Sequence, residues 1–341
     1  MRHVVIDGPR SVTVRDAPDP VPPGADGVVV EVEAAGICGS DLHFYDGDLP
    51  VGDGVPVGHE FVGRIVEAGP DVERFKVGDR VLTASVAGCG RCDGCATGAV
   101  VACHEGPKVF GSGFLPGGQA THVAVHSADF QLLAVPDGFD DEAALLLTDN
   151  LSTGWAGAQR ADIPPGGTVA VIGLGAVGQC AVRSAVAAGA GRVFAVDPVK
   201  GRRDRAVESG AEAVEGPTVE AIMEATGGRG VDSVIDAVAL DVTLDDALAC
   251  VRPTGTVSVI GVHDLAPYPL PILGGLLRSV TMRMTLAPVH KTWNDLVPLV
   301  QSGALRTDGI FTHELPLEQA ADAYAMVAAR TADCTKVLLR P

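Results

Sequence analysis

Apolar residues follow two different rhythms along this chain. In the first half they come in short, Val-rich runs punctuated by Gly and Pro. Residues 28–32 form one such run, interrupted by Glu31, and 61–66 form another that closes at the Gly69-Pro70 turn. Segments 79–82 and 119–125 repeat the pattern, so a β-rich domain of short strands is predicted over about 1–150. Beyond residue 150 the rhythm alternates. Apolar runs at 168–172, 192–197, 231–237 and 256–261 read as buried strands, and 176–188, 202–210 and 242–251 between them read as helices. Alternation with short connections predicts an α/β fold, a doubly wound parallel sheet over 151–288. The tail returns to helix at 292–302 and 317–329 and ends in a strand at 336–339.

A length of 341 residues agrees with two domains of about 150 residues each. Apolar residues make up 47% and charged residues 20%, which excludes wholesale disorder. The charge excludes more. Twenty-five basic against 43 acidic residues leave −18, and a field of that sign repels phosphate backbones and anionic lipid, so neither nucleic acid nor membrane is expected as a partner. The longest apolar stretch, 169–182, is broken by Gln179 and falls short of the about 18 residues a span requires. The first residues are too polar for a signal peptide, so a cytoplasmic protein is expected.

Four of the eight cysteines are clustered as Cys89-x2-Cys92-x2-Cys95-x7-Cys103. Thiolates at this spacing can converge on one ion, and four of them close a tetrahedron, so a structural zinc site without an open position is predicted. His104, directly after Cys103, is a competing ligand. Cys180, Cys250 and Cys334 sit in apolar contexts and read as small buried hydrophobes. A thiol–disulfide oxidoreductase built on the CxxC pairs is the remaining redox reading.

Gly173-Leu174-Gly175-Ala176-Val177-Gly178 directly follows a predicted strand and opens a predicted helix, and Asp197 ends the next strand. In that context the glycines permit a tight turn and close approach of a pyrophosphate to the helix N-terminus. Asp197 would accept hydrogen bonds from the adenosine ribose and repel a 2′-phosphate, which favours NAD over NADP. Arg202 and Arg203 soften that preference.

Cys38-Gly39-Ser40-Asp41-Leu42-His43 and Gly58-His59-Glu60 lie in the β-rich half. With these motifs, the four-cysteine loop, the Gly-rich turn and the helical tail in this order, the chain resembles the zinc-dependent medium-chain alcohol dehydrogenases over essentially its whole length. The resemblance implies a Rossmann coenzyme domain over 151–288 and a GroES-like catalytic domain over 1–150 and 289–341. It implies one catalytic zinc besides the structural one, with Cys38 and His59 as ligands. Asp149, four residues before Thr153-Gly154, matches the third ligand, and Glu60 stands as the alternative. Ser40 and His43 match the family's proton relay, Asp41 the carboxylate that orients His59, and Thr153 the start of the linking helix on the coenzyme side. Phe44, Tyr45, Phe110 and Trp293 are placed near a substrate pocket by family position, whereas Trp155 reads as core. The other histidines (3, 122, 126, 263, 290 and 313) read as surface or loop residues. The expected activity is hydride transfer between a secondary alcohol or polyol and NAD, in a homodimer or homotetramer. A threonine or aldehyde dehydrogenase of the same family, and a non-catalytic dinucleotide sensor, are the alternatives.

Overall fold

The structure is a computed structural model that describes residues 1–49, 52, 54–331 and 333–341. The chain divides into two compact units. One comprises Met1–Ser152, Pro288–Gln301 and Thr307–Pro341, and the other Thr153–Ala287 with Ser302–Arg306.

The second unit is built on a six-stranded parallel sheet. Its order is Glu212–Ala213, Arg192–Val196, Thr168–Ile172, Val231–Asp236, Val251–Val259 and Thr281–Met284. Burial on both faces explains the continuous apolar runs. Along Thr168–Ile172, Ala170 and Ile172 enter one core with Phe194, Val234 and Leu244. Val169 and Val171 enter the opposite core with Val193, Ala181 and Val182. Strand order reverses at Thr168–Ile172, which is flanked by the next strand on one side and by Val231–Asp236 on the other. A switch of this kind opens a crevice beyond the carboxyl ends of the strands, where the Gly-rich turn lies. Helices Ala176–Ala187, Lys200–Glu208, Thr218–Ala225 and Asp241–Cys250 connect the strands. At the sheet's end the helix Ile272–Arg278 buries no residue and leaves Ile272, Leu273, Leu276 and Leu277 exposed.

The first unit is β-rich. A seven-stranded sheet runs Leu132–Ala134, Arg80–Thr83, Glu60–Ala68, Val28–Gly36, Val337–Arg340 and His313–Pro316, with His122–Val125 also paired to Val28–Gly36. A three-stranded sheet joins Ser11–Asp16, Arg2–Gly8 and Val55–Pro56. Val30, Val32, Phe61, Ile65 and Val123 form the centre of one core in this unit. The helix Ala320–Ala328 closes another over Val4, Ile6 and Tyr45. Among the described residues no helix is long and apolar enough to cross a membrane.

Candidate metal centres and coenzyme turn

Cys38 follows the Val28–Gly36 strand, and His59 and Glu60 open the strand that pairs with it. Asp149 sits at the break between the helices Asp141–Thr148 and Asn150–Arg160, where φ of −156° and ψ of −70° turn its carboxylate out of the helical path. These elements bring ligand atoms of Cys38, His59, Glu60 and Asp149 within 4.8 Å of one another, all in buried residues. Asp149 Oδ2 is 3.5 Å from His59 Nε2 and 3.6 Å from Cys38 Sγ, and its other oxygen accepts from Ser85 Oγ at 3.1 Å. His59 Nδ1 faces Asp41 Oδ1 at 3.2 Å, which directs Nε2 into the cluster.

The donor set calls for a cation. Burial, with Glu60 next, pushes the Cys38 thiol above its ordinary pKa, so a thiolate there needs a positive neighbour. Burial opposes an imidazolium at His59, yet Asp41 and Asp149 outweigh it and hold that ring's pKa well above its usual value. Three acidic groups share the site with one ammonium, Lys336. A divalent ion bound by thiolate, imidazole and carboxylate meets that excess, and these residue types fit zinc.

The sulfurs of Cys89, Cys92, Cys95 and Cys103 also lie within 4.8 Å of one another, around the short helix Asp93–Ala96. Backbone N–H groups of Cys95 and His104 hold the Cys92 thiol down, at about 6, whereas burial pushes Cys95 up to about 12. This closed thiol set fits a structural zinc. His104 pairs with Asp93 at 2.8 Å, and both lie within 4.8 Å of Cys92 at the exposed side of the cluster. Cys180, Cys250 and Cys334 are buried and outside any disulfide among the described residues.

In the other unit the Gly-rich turn follows the strand Thr168–Ile172, and Gly175 caps the helix that begins at Ala176. A Cβ on Gly178 would lie 1.8 Å from the Gly173 carbonyl oxygen, so a side chain there would force the turn apart. Val177 is half-buried on this first helical turn. Asp197 Oδ2 accepts from Leu174 N and Oδ1 from Val199 N, both at 2.8 Å, which fixes the carboxylate beside the turn. Arg202 approaches it at 3.9 Å, and Arg203 Nη1 donates to the Asp197 carbonyl at 2.6 Å. Thr153 is buried in the helix Asn150–Arg160.

Comparison with known proteins places this geometry. The alcohol dehydrogenase GroES-like domain family matches residues 24–137 and the zinc-binding dehydrogenase family residues 176–302. A probable zinc-binding alcohol dehydrogenase of Mycobacterium tuberculosis is 60% identical over all of this chain and 89% of its own length. The chain belongs to the zinc-binding medium-chain alcohol dehydrogenase family. A sorbitol dehydrogenase of Bacillus subtilis is 30% identical, over 100% of this chain and 97% of that one. Among solved structures, an alcohol dehydrogenase from Thermus sp. ATN1 superposes with a TM-score of 0.92 at 35% identity, covering 100% of this chain and 99% of that one. The Rossmann and GroES-like architecture expected from the sequence is therefore shown.

Around the metal cluster this medium-chain dehydrogenase uses residues that the motifs do not announce. Lys336, fully buried, places Nζ 2.6 Å from Glu60 Oε2 and donates to the Ile37 carbonyl at 3.2 Å. Asn150 Nδ2 donates to Glu60 Oε1 at 2.8 Å and to Asp149 Oδ2 at 3.2 Å. Behind Asp41, Gln119 Nε2 donates to its Oδ2 at 3.2 Å, and the Tyr324 hydroxyl donates to Gln119 Oε1 at 2.9 Å. Ser40 Oγ lies 3.5 Å from His59 Nε2, whereas the His43 ring turns toward Asp48, with Nδ1 to Oδ2 at 3.5 Å. His43 N–H donates to the Ser40 carbonyl at 3.2 Å. The aromatic expectations need correction. Phe110 is core, edge-on to Phe61 at 5.4 Å. Tyr45 is buried against Tyr324 and Trp293 is buried with its N–H on the Leu147 carbonyl, because both rings are needed to seal the C-terminal segments onto this unit. His290 is not a surface residue either: it stacks on Phe130 at 4.3 Å, and burial lowers its pKa to about 4.

Proposed function

We propose that the chain oxidises a secondary alcohol or polyol by hydride transfer to NAD. The observation that carries this reading is the buried Cys38, His59 and Asp149 set, with His59 oriented by Asp41. Cys38, His59 and Asp149 would hold the catalytic ion. The Glu60 carboxylate is already neutralised by the Lys336 ammonium at 2.6 Å, whereas Asp149 Oδ2 lies 3.5 Å from His59 Nε2 and 3.6 Å from Cys38 Sγ, which favours Asp149 as the third ligand. When bound, zinc supplies Lewis acidity toward an alcohol oxygen and the dinucleotide supplies the hydride acceptor. Ser40 Oγ, beside His59 Nε2, accepts the hydroxyl proton of the substrate and yields its own toward the partly exposed His43 ring. Cys89, Cys92, Cys95 and Cys103 hold a second zinc that secures their loop.

Gly173, Gly175, Val177 and Gly178 would seat the pyrophosphate at the helix N-terminus, with Thr153 and Arg202 on the coenzyme side. Asp197, its orientation fixed by two backbone N–H groups, keeps lone pairs for the ribose hydroxyls and disfavours a 2′-phosphate. The sorbitol dehydrogenase among the relatives supports the polyol class. Assembly as a homodimer or homotetramer is supported by four exposed aliphatic side chains on the helix Ile272–Arg278, next to the terminal strand Thr281–Met284.

Metal analysis paired with coenzyme reduction tests the reading. Two zincs per chain are expected, one in Cys38→Ser, with turnover of a secondary alcohol or polyol by the parent on NAD and none by the variant. A Cys38→Ser protein with parental zinc and turnover overturns the site. Equal use of NADP overturns the role of Asp197.

A further inference from the structure

Gln119 is fully buried, at the entry to the His122–Val125 strand, and its backbone is fixed from two sides. Its N–H donates to the Val57 carbonyl at 3.1 Å and its carbonyl accepts from Val4 at 2.9 Å. The side chain reaches past residue 58, where a Cβ would lie 2.4 Å from Gln119 Cγ, so this path exists only because Gly58 precedes His59.

The amide at the end of that path has one permitted orientation. Its Nε2 donates to Asp41 Oδ2 at 3.2 Å and to the Gly36 carbonyl at 3.1 Å, two groups that only accept. Its oxygen accepts the Tyr324 hydroxyl at 2.9 Å. Flipping the amide would set its oxygen against a carboxylate and a carbonyl among fully buried side chains, and would leave the phenol without its acceptor. Tyr324 is itself fully buried on the helix Ala320–Ala328, its ring 5.4 Å from Tyr45. Asp41 Oδ2 also accepts from Cys38 N at 2.9 Å, so its remaining oxygen faces His59 Nδ1 at 3.2 Å.

We infer that Gln119 and Tyr324 are positioning residues for the catalytic metal: Tyr324 sets the Gln119 amide, the amide sets the Asp41 carboxylate, and Asp41 keeps the proton on His59 Nδ1 so that Nε2 presents its lone pair. The inference rests on the proposed metal site. Gln119 Nε2 has two acceptor-only neighbours, Asp41 and the Gly36 carbonyl, and the Tyr324 hydroxyl supplies the donor that its oxygen then requires, so all three partners hold the amide in the same orientation. A residue 205 positions away in sequence from Gln119 thereby takes part in orienting a ligand.

The test uses the zinc-loaded full chain and its Gln119→Met and Tyr324→Phe variants, which keep side-chain volume. Chelator competition reads the two zincs separately, and the four-cysteine zinc serves as the internal reference. A partner directly behind a ligand, as Asp41 is behind His59, typically changes metal affinity about 10–100-fold; Gln119→Met acts one step further back and is expected to weaken the Cys38/His59 zinc about 5–10-fold, below that range. Tyr324→Phe, a further step back, is expected to weaken it about 2–5-fold, below that same range. The reference zinc stays at its parental affinity, while loss of the buried phenol hydrogen bond lowers the unfolding midpoint of Tyr324→Phe modestly. A packing role alone would move the midpoint and leave the ratio of the two affinities unchanged, and that result overturns the inference. Should Gln119→Met not fold, Tyr324→Phe decides alone. A parent chain whose zinc content is unaltered by Cys38→Ser would instead show that the metal site itself is misassigned.

Discussion

Replacing Lys336 by Met is the sharpest perturbation this molecule offers. The ammonium and the Glu60 carboxylate are 2.6 Å apart, and both side chains are fully buried. At an effective dielectric of 20 their mutual attraction is roughly 6 kcal/mol, most of which goes to offset the removal of two ions from water. Removing one partner leaves the desolvation of the other uncompensated, a loss of about 3–5 kcal/mol. Asn150 still donates to Glu60 Oε1 at 2.8 Å, which places Lys336→Met near the lower end of that range. Each compact unit holds one tryptophan, Trp293 in the first and Trp155 in the second. In a Trp155→Phe background, urea unfolding followed by fluorescence therefore reports the unit that contains the pair. Adding Glu60→Gln to Lys336→Met removes the stranded charge and should restore about 2 kcal/mol of the loss, a coupling of the size neighbouring residues show. The reasoning fails if Lys336→Met unfolds within about 1 kcal/mol of its parent, the range of an exposed pair, or if the double variant is no more stable than the single one.

Further outcomes can be checked independently. Asp232, bound by Arg252 and by the Thr168 N–H and hydroxyl, has its pKa lowered to about 2 from 3.8, burial opposing and these partners prevailing. A depressed carboxyl pKa contributes stability that is complete above the unfolded value and disappears as pH falls through the folded one. The stability gap between parent and Asp232→Asn should therefore be full above pH 3.8 and close as pH approaches 2; a gap that persists unchanged at pH 2 refutes the assignment. Gly178→Ala should abolish NADH binding by fluorescence titration while both zincs remain, since the new Cβ collides with the Gly173 carbonyl. Parental affinity would show that the turn does not seat the coenzyme. Cys89→Ser should lose one zinc and lower the thermal midpoint, and retention of both zincs would refute the four-thiol site.

The features readable from sequence were those set by neighbours along the chain. The Thr168–Ile172 strand and the Ala176–Ala187 helix needed only apolar spacing and a Gly-rich junction, and the four-cysteine loop needed only its own spacing. What escaped depends on distant partners. The helix Thr218–Ala225 and the strand pair Arg2–Gly8 and Ser11–Asp16 are short and gain their stability from packing, although Gly216-Pro217 and Gly8-Pro9 punctuate them. Gln119 and Tyr324 look like ordinary strand and helix residues, because their roles exist only where the tail folds back. Lys336 did leave a trace: a charge opening the apolar strand Val337–Arg340 needs a counter-ion inside. Phe110 was misplaced because aromatic identity does not distinguish a core ring from a pocket wall.

The place of the Val337–Arg340 strand constrains how the molecule can be made. It lies between Val28–Gly36 and His313–Pro316 in the seven-stranded sheet, so a strand from the beginning of the chain pairs with its last residues. During synthesis the ribosome releases the β-rich unit's first 152 residues long before that strand exists, while the coenzyme unit completes its own sheet from a nearly continuous segment. Domains fold as they emerge, and pairings of long sequence separation form last. The nascent β-rich unit therefore waits with an open sheet edge, and with Glu60 lacking its Lys336 counter-ion, until residues 336–340 have been made. A chain cut just before residue 336 lacks the closing strand, and quality control would meet a protein whose coenzyme unit is finished and whose metal-binding unit is not.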